Sequence, residues 1–268
     1  MFILLNEETG QKFPLSIDTL MGIASDAALN IQSQRELFDA LFATRNPSII
    51  KSMTHNLRFE HISDAQVDTI WDVLSQEERS DLVGSMDFME RMSSKHLAEI
   101  IAANEHAPIE QLAYHMDFQN PPRRLSKKDM QNLFAHLKNH PCITIRRAFA
   151  TNHMLPKRKP FTLDECISMG CLPDYFVEAL DVCSVKKLEK APSDIMETLV
   201  SSLDEIKDEE AQNEAVNLIL RHPNPYHAQE AAGRYGLPDN IMKKFCASSD
   251  PVVRKISQEN MKANHSEE

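Results

Sequence analysis

The sequence predicts an all-α chain, an α-solenoid-like stack of short helices preceded by a β-hairpin pattern. Three observations predict it. Apolar residues recur three and four apart through most of the 268 residues. Glycine is scarce, at six residues, and tight-turn-rich β folds and phosphate-binding α/β folds both spend glycine freely. A short pattern of Pro, Ala or Arg, and Asn returns at related intervals, as stacked-helix arrays require.

The first sixteen residues stand apart. Phe2-Ile3-Leu4-Leu5 and Phe13-Pro14-Leu15 flank Asn6-Glu7-Glu8-Thr9-Gly10, a hairpin pattern in which Gly10 supplies the turn dihedral. From Ile17 the period is helical: residues 18–30 and 33–43 carry the first two stripes. Val67 to Leu74 is another amphipathic run, with the single Trp71 expected as a core anchor. Ser126-Lys127-Lys128-Asp129 opens a helix that Ser126 caps, and Leu133, Phe134 and Leu137 form its apolar stripe. Thr162-Leu163-Asp164-Glu165 is a capping box, and residues 193–202 and 209–220 read as two further helices. Short two-faced helices in series bury their apolar faces only by stacking on neighbours. The resulting division is a hairpin-like segment at 1–16, a helical domain at 17–260 with a sub-division at 120–125, and a disordered tail at 261–268.

The repeat is clearest in Asp250-Pro251-Val252-Val253-Arg254, where Asn260 lies six residues after Arg254. Arg146 and Asn152 have the same offset, with Pro156 four residues further on. Ala98, Asn104 and Pro108 repeat both offsets; Ala228, Arg234 and Pro238 do so with Arg in place of Asn; Ile50 and Asn56 keep the first. Positions 50, 98 and 146 are 48 apart, and Pro47 and Pro251 each precede their anchor by three. These residues resemble the leucine-rich repeat variant family, whose units of about 24 residues are HEAT-like pairs of helices. The resemblance covers residues 249–260 and 140–156 best, 94–113 and 222–245 less well, and lapses at 60–90 and 161–215. It implies a right-handed helical stack in which Pro starts a helix and Asn ends it, and a binding role without an activity. The iron–sulfur cluster that a founding member of that family carries on an N-terminal Cys-rich segment does not transfer, because no Cys precedes Cys142.

Charge is the one functional signal. The net charge of −11 hides a block at 121–160 with ten basic side chains and one acidic one, between an acidic N-terminal stretch and residues 161–215, which hold fourteen acids and four bases. The basic residues are Arg123, Arg124, Lys127, Lys128, Lys138, Arg146, Arg147, Lys157, Arg158 and Lys159. Concentrated charge steers opposite charge, and guanidinium forks fit carboxylates. Two readings stand open. In one the block binds an acidic protein segment, which makes the chain a non-enzymatic interaction or adaptor module; nucleic acid is the alternative partner for the same patch. In the other the cations pair with the chain's own acids. The acidic remainder of the chain and the few aromatics near the block weigh against nucleic acid.

Other patterns carry less. His136 and His140, four apart and followed by Cys142, have the spacing of two metal ligands but lack the Glu of a zinc protease motif, so no metal or cofactor is expected and surface histidines at a helix end are the simpler reading. Cys166, Cys171 and Cys183 lack the second close pair of an iron–sulfur set and read as small buried side chains. Five irregularly spaced cysteines, with Cys246 the last, read as reduced thiols of a cytoplasmic protein. The start of the chain lacks a signal-peptide pattern, no run approaches a membrane span, and Asn264-His265-Ser266 is a chance glycosylation triplet. No nucleophile elbow, phosphate loop or dinucleotide fingerprint is present, so no reaction is expected.

Overall fold

A computed structural model describes residues 3–5, 12–155 and 159–264. Helices form nearly all of its regular structure, in two compact units, residues 1–134 and 135–268.

The N-terminal unit begins with strands β1 (Ile3–Leu5) and β2 (Lys12–Pro14), paired antiparallel with Leu4 opposite Phe13. The expected Gly10 turn lies outside the described residues. The helices that follow are α1 (Ile17–Leu29), α2 (Arg35–Phe42), α3 (Pro47–Thr54), α4 (Asp64–Val73), α5 (Gln76–Val83), α6 (Met86–Met89), α7 (Ser94–Ala103) and α8 (His106–His115). The last, α9 (Lys127–Lys138), runs across the division between the units.

Local chemistry explains these starts. Ser63, Ser75 and Ser93 each accept a backbone N–H with the side chain three residues on reaching back, a complete capping box worth about 1 kcal/mol. Asn46 precedes Pro47, and its Oδ1 accepts from Ser48 N–H at 3.0 Å, so cap and proline together set the entry of α3. The core gathers where α1 packs on α3 and α5 on α8. Trp71 is 1% exposed and stacks on Phe88 at 5.4 Å between ring centres, while Phe59 meets the same ring edge-on. Burying side chains of this size stabilises by about 1.5–3 kcal/mol each.

In the C-terminal unit the helices are α10 (Ile143–Ala150), α11 (Leu163–Met169), α12 (Asp174–Val177), α13 (Val182–Lys187), α14 (Ser193–Ser201), α15 (Glu209–Arg221), α16 (Pro225–Gly233), α17 (Asp239–Cys246) and α18 (Pro251–Asn264). Helices pack both on the next helix but one (α13 on α15, α14 on α16, α15 on α17, α16 on α18) and on the next, most extensively α17 on α18. Their shared core includes Leu199, Val216, Ile219, Phe245 and Val253, all buried.

The repeat asparagines take two kinds of place: Asn56, Asn104 and Asn152 follow helix ends, and Asn260 joins two helices. Asn104 does end α7, in the left-handed conformation at φ 50°. Asn260 instead lies inside α18, and its Nδ2 donates to the carbonyls of Ala232 and Arg234 at 3.2 and 2.6 Å, at the end of α16. Arg234 reaches back to Asp204 at 2.6 Å, and Asn56 to Ser25 at 2.7 Å.

The compact units part at residues 134 and 135, inside α9, and Arg123 and Arg124 bond to α4 within the N-terminal unit. Helix α18 continues to Asn264, beyond the tail boundary at 261, because Met261 packs on the core of this unit.

Candidate functional site

Arg123 and Arg124 follow Pro121-Pro122, where a turn closed by Leu125 N–H on Pro122 O brings them back over α4. Arg124 is 18% exposed; its Nη2 donates to both carboxylate oxygens of Asp68, at 2.8 and 2.7 Å, and its Nη1 to the Arg91 carbonyl. Arg123 is 67% exposed and donates to Asp64 at 2.8 Å. Asp64 also receives two bonds from Arg91, at 3.0 and 2.7 Å. Partial burial works against its charge, but the hydrogen bonds from Arg123 and Arg91 outweigh that and hold its carboxyl below the usual range. Both arginines therefore have acids of their own chain.

Lys127 and Lys128 behave differently. Ser126 Oγ accepts Asp129 N–H at 3.2 Å, while Asp129 Oδ2 accepts Ser126 N–H at 2.8 Å and Ser94 Oγ–H at 2.6 Å. The Asp129 carboxylate is thus turned back onto the helix start, and these hydrogen bonds, from Ser126 first, hold its pKa down with help from the Lys128 charge. Lys127 and Lys128 are exposed on the first turn of α9, followed one turn on by exposed Gln131 and Asn132. Among the described residues neither lysine has an ion-pair partner. Their long stems leave the ammonium groups in water, able to meet a partner.

The other cations of the block lie in the C-terminal unit. Arg147 donates from Nε and Nη2 to the Met169 carbonyl, at 3.0 and 2.6 Å, and stands 3.6 Å from Asp194. Lys159 lies over the Tyr175 ring at 4.2 Å, a cation–π contact. Lys138 and Arg146 are half-buried and face Glu165, whose carboxyl is held low first by the Thr162 backbone N–H and lastly by these two charges. The Arg146 Nε is buried with no hydrogen-bond partner among the described residues. Lys157 and Arg158 lie outside the described residues. Of the block's cations among the described residues, Arg123, Arg124 and Arg147 bond to acceptors within the chain, Lys159 covers a ring, and Lys127 and Lys128 stay open.

A cleft that the sequence did not signal lies between α4, α5, α7 and α8, with a volume of about 240 Å³. Its wall includes Trp71, Val83, Ile100 and Pro108; its polar groups are Gln76, Arg79, Ser80, Glu99 and Glu105, with Gln76 bonded to Glu105. Arg79 lies over the indole at 4.9 Å, donates from Nε to the Trp71 carbonyl at 2.8 Å and from Nη1 to Glu99 at 3.2 Å. These groups satisfy one another, so the cleft offers an apolar slot more than a reactive centre. Only the amphipathic run around Trp71 hinted at it; Glu99 is 28 residues away in sequence.

The histidine and cysteine expectations need correction. His140 is buried, not on the surface, and its Nδ1 accepts the Cys142 N–H at 3.2 Å because Asn139 to Cys142 turns tightly after α9. His136 packs edge-on against it at 5.3 Å. Cys166 and Cys171 are buried as expected, whereas Cys183 is exposed on the outer side of the short α13. Among the described residues no three His, Cys, Asp or Glu side chains are grouped to hold a metal ion. Among them, too, no helix is long and apolar enough to cross a membrane.

The chain matches no protein-family model, no curated protein and no solved structure.

Proposed function

We propose that this protein is a non-enzymatic interaction module of the helical-repeat kind, and that the first turn of α9 contacts an acidic segment of a protein partner. The carrying observation is the contrast within the basic block: the arginines on either side are bonded into the fold, while Lys127 and Lys128 project together with Gln131 and Asn132 and their one acidic neighbour, Asp129, is turned inward. Two adjacent ammonium groups beside amide donors suit carboxylates, and such exposed charges act mainly on encounter and register. The helical-repeat reading draws support from the partners two elements apart in the C-terminal unit and from Asn56, Arg234 and Asn260, which each bond to the chain 26 to 31 residues earlier. A cytoplasmic setting fits the five free thiols.

The test is fluorescence anisotropy with a labelled oligoglutamate peptide and, in parallel, a labelled oligothymidylate across salt. Lys127→Glu with Lys128→Glu should weaken the peptide at least about tenfold. The same reversal of Lys243 and Lys244, an adjacent pair on α17, should leave it unchanged. Equal loss in both variants, or no peptide binding at low salt, overturns the assignment. Tighter retention of the oligonucleotide at matched salt would favour the nucleic-acid alternative.

A further inference from the structure

Helix α11 ends at Gly170, whose φ of +73° places it in the left-handed region. Gly170 N–H bonds to Ile167 O and Cys171 N–H to Cys166 O, both at 3.0 Å. These two bonds define a Schellman motif, which brings the side chain three residues before the helix end against the one just after the glycine. In most helices that contact is between two apolar residues; here it is between two thiols. The Cys171 Sγ lies 3.7 Å from the Cys166 carbonyl oxygen, and both side chains are buried and unlinked. The remaining cysteines sit elsewhere: Cys142 against Thr144, Cys246 against Met261, and Cys183 exposed.

We propose that Cys166 and Cys171 form a two-electron redox site, closed to a disulfide by a hydroperoxide. Geometry supplies the first requirement: the helix cap folds Cys171 back onto Cys166, by its N–H and its Sγ on the same carbonyl, and a disulfide needs its two residues close. Local charge supplies the second. Arg147, fixed on the Met169 carbonyl, holds its guanidinium so close to Gly170 that a Cβ there would stand 2.8 Å from Nη2. The Cys171 thiol is held down by the hydrogen bond from Cys166 and by the Arg147 charge, whereas the Cys166 thiol is pushed up by the same hydrogen bond and by burial. Of the two thiols Cys171 is therefore the easier to ionise and Cys166 the harder, the division of labour between an attacked and a resolving cysteine. The Tyr175 hydroxyl stands beside Cys166, and burial first of all pushes its pKa up, so it stays neutral.

The chemistry closes without a further reagent. The Cys171 thiolate attacks one peroxide oxygen; the O–O bond breaks, and the departing hydroxide takes a proton to become water. Cys171 is now a sulfenic acid. The Cys166 sulfur then attacks the Cys171 sulfur, the S–O bond breaks, and water leaves carrying the Cys166 proton. Two thiols have lost two electrons, and one hydrogen peroxide has become two waters.

The test is hydrogen peroxide titration of the folded full-length protein in a Cys183→Ser background, which removes the exposed competitor. Thiols are blocked under denaturing conditions, reduced and labelled with a second reagent, and the labelled peptides are mapped. The expected result is a protein about 2 Da lighter in which Cys166 and Cys171 together carry the second label while Cys142 and Cys246 carry the first. In Cys166→Ser, dimedone should trap a sulfenic acid at Cys171. Oxygen adducts without a disulfide, a bond to Cys142 or Cys246, or two thiols still blocked at doses that oxidise Cys142 would each overturn the proposal. The wild-type pattern decides the matter even where a variant folds poorly.

Discussion

The indole Nε1 of Trp71 donates to Glu99 Oε2 at 2.7 Å, and Arg79, lying over the same ring, donates to the same oxygen. One carboxylate on α7 therefore holds both α4 and α5. Trp71 is the single tryptophan, so its fluorescence reports this packing directly. Trp71→Ala should destabilise by about 3–5 kcal/mol, because it opens a cavity and strips Glu99 and Arg79 of their anchor. Glu99→Gln keeps an acceptor for the indole and should cost only about 1 kcal/mol. Urea unfolding followed by circular dichroism checks both; equal losses would mean that the carboxylate, not the ring, organises the cleft.

Neighbouring arginines in sequence should differ sharply in worth. Arg124 is mostly buried, with Nη2 on both oxygens of Asp68 and Nη1 on the Arg91 carbonyl, so Arg124→Ala should cost about 1–3 kcal/mol by leaving that carboxylate half-buried and unpaired. Arg124→Lys should recover little, since one ammonium cannot bond Asp68 and that carbonyl together. Arg123 is largely solvated, and Arg123→Ala should change stability by less than about 0.5 kcal/mol. Denaturation midpoints of the three variants test the ranking, which fails if Arg123 proves the costlier loss.

Stability should fall with pH between neutrality and about pH 4 because of His96. Its ring is buried between Trp71 and Phe88, with Asp68 and Arg124 facing it. Ser93 N–H donates to its Nδ1 at 3.3 Å, so the neutral ring carries its proton on Nε2, 3.0 Å from Asp68 Oδ1 but off the line of a good hydrogen bond. Burial lowers its pKa from 6.5 to about 4, with Asp68 opposing. Between those values the unfolded chain binds a proton that the folded chain does not, so stability is lost as pH falls through the window, by up to about 3 kcal/mol. Glu78, whose carboxyl is held down to about 2 first by Lys51 and then by Ser75, loses its contribution only below the ordinary glutamate range. His96→Gln keeps the capping box and should flatten the slope between pH 7 and about pH 5. A slope unchanged in that variant would assign the effect to other groups.

Two glycines should respond oppositely to alanine. Gly22 lies inside α1 with nothing within 4 Å of a would-be Cβ, so Gly22→Ala should stabilise by about 0.5–1 kcal/mol. Gly170 holds a positive φ, and a Cβ there meets Arg147, so Gly170→Ala should cost at least about 1–2 kcal/mol. Melting temperatures of the two variants settle the signs.

What could be read from the chain alone was local. The caps at Ser126 and Thr162 sit within three residues of their partners, and both form as the sequence reading expected. The apolar period placed Trp71 and the helices read at 193–202 and 209–220 for the same reason; they form over Ser193–Ser201 and Glu209–Arg221. The partners of Arg123 and Arg124 lie 59 and 56 residues back, and no spacing rule links positions so far apart. Charge counting alone could not show that these two cations are bonded to α4 while Lys127 and Lys128 are not. The Cys166–Cys171 pair lies between these cases: five residues apart around a glycine, it is visible in sequence once the helix end is known.

Asn260 gives the repeat pattern an energetic test. Its amide donates to the carbonyls of Ala232 and Arg234, two acceptors left over at the end of α16, while its own Oδ1 is buried without a partner among the described residues. The two donated bonds must outweigh that unmet acceptor for the residue to belong there. Asn260→Ala removes the donor and strands both carbonyls, at a cost of about 1–3 kcal/mol. Asn260→Asp keeps the shape but replaces the donor with a charge facing two carbonyl oxygens, so it should be the worse of the two despite being the smaller change in volume. Asn56, which is exposed and donates to the Ser25 Oγ, has the same offset in the sequence pattern, and Asn56→Ala should cost less than about 1 kcal/mol because water replaces the lost bond. Urea midpoints should therefore drop most for Asn260→Asp, less for Asn260→Ala and least for Asn56→Ala, the order that a buried donor holding successive helices requires. If Asn260→Asp leaves the protein as stable as the parent, the side chain fills space and does not bond.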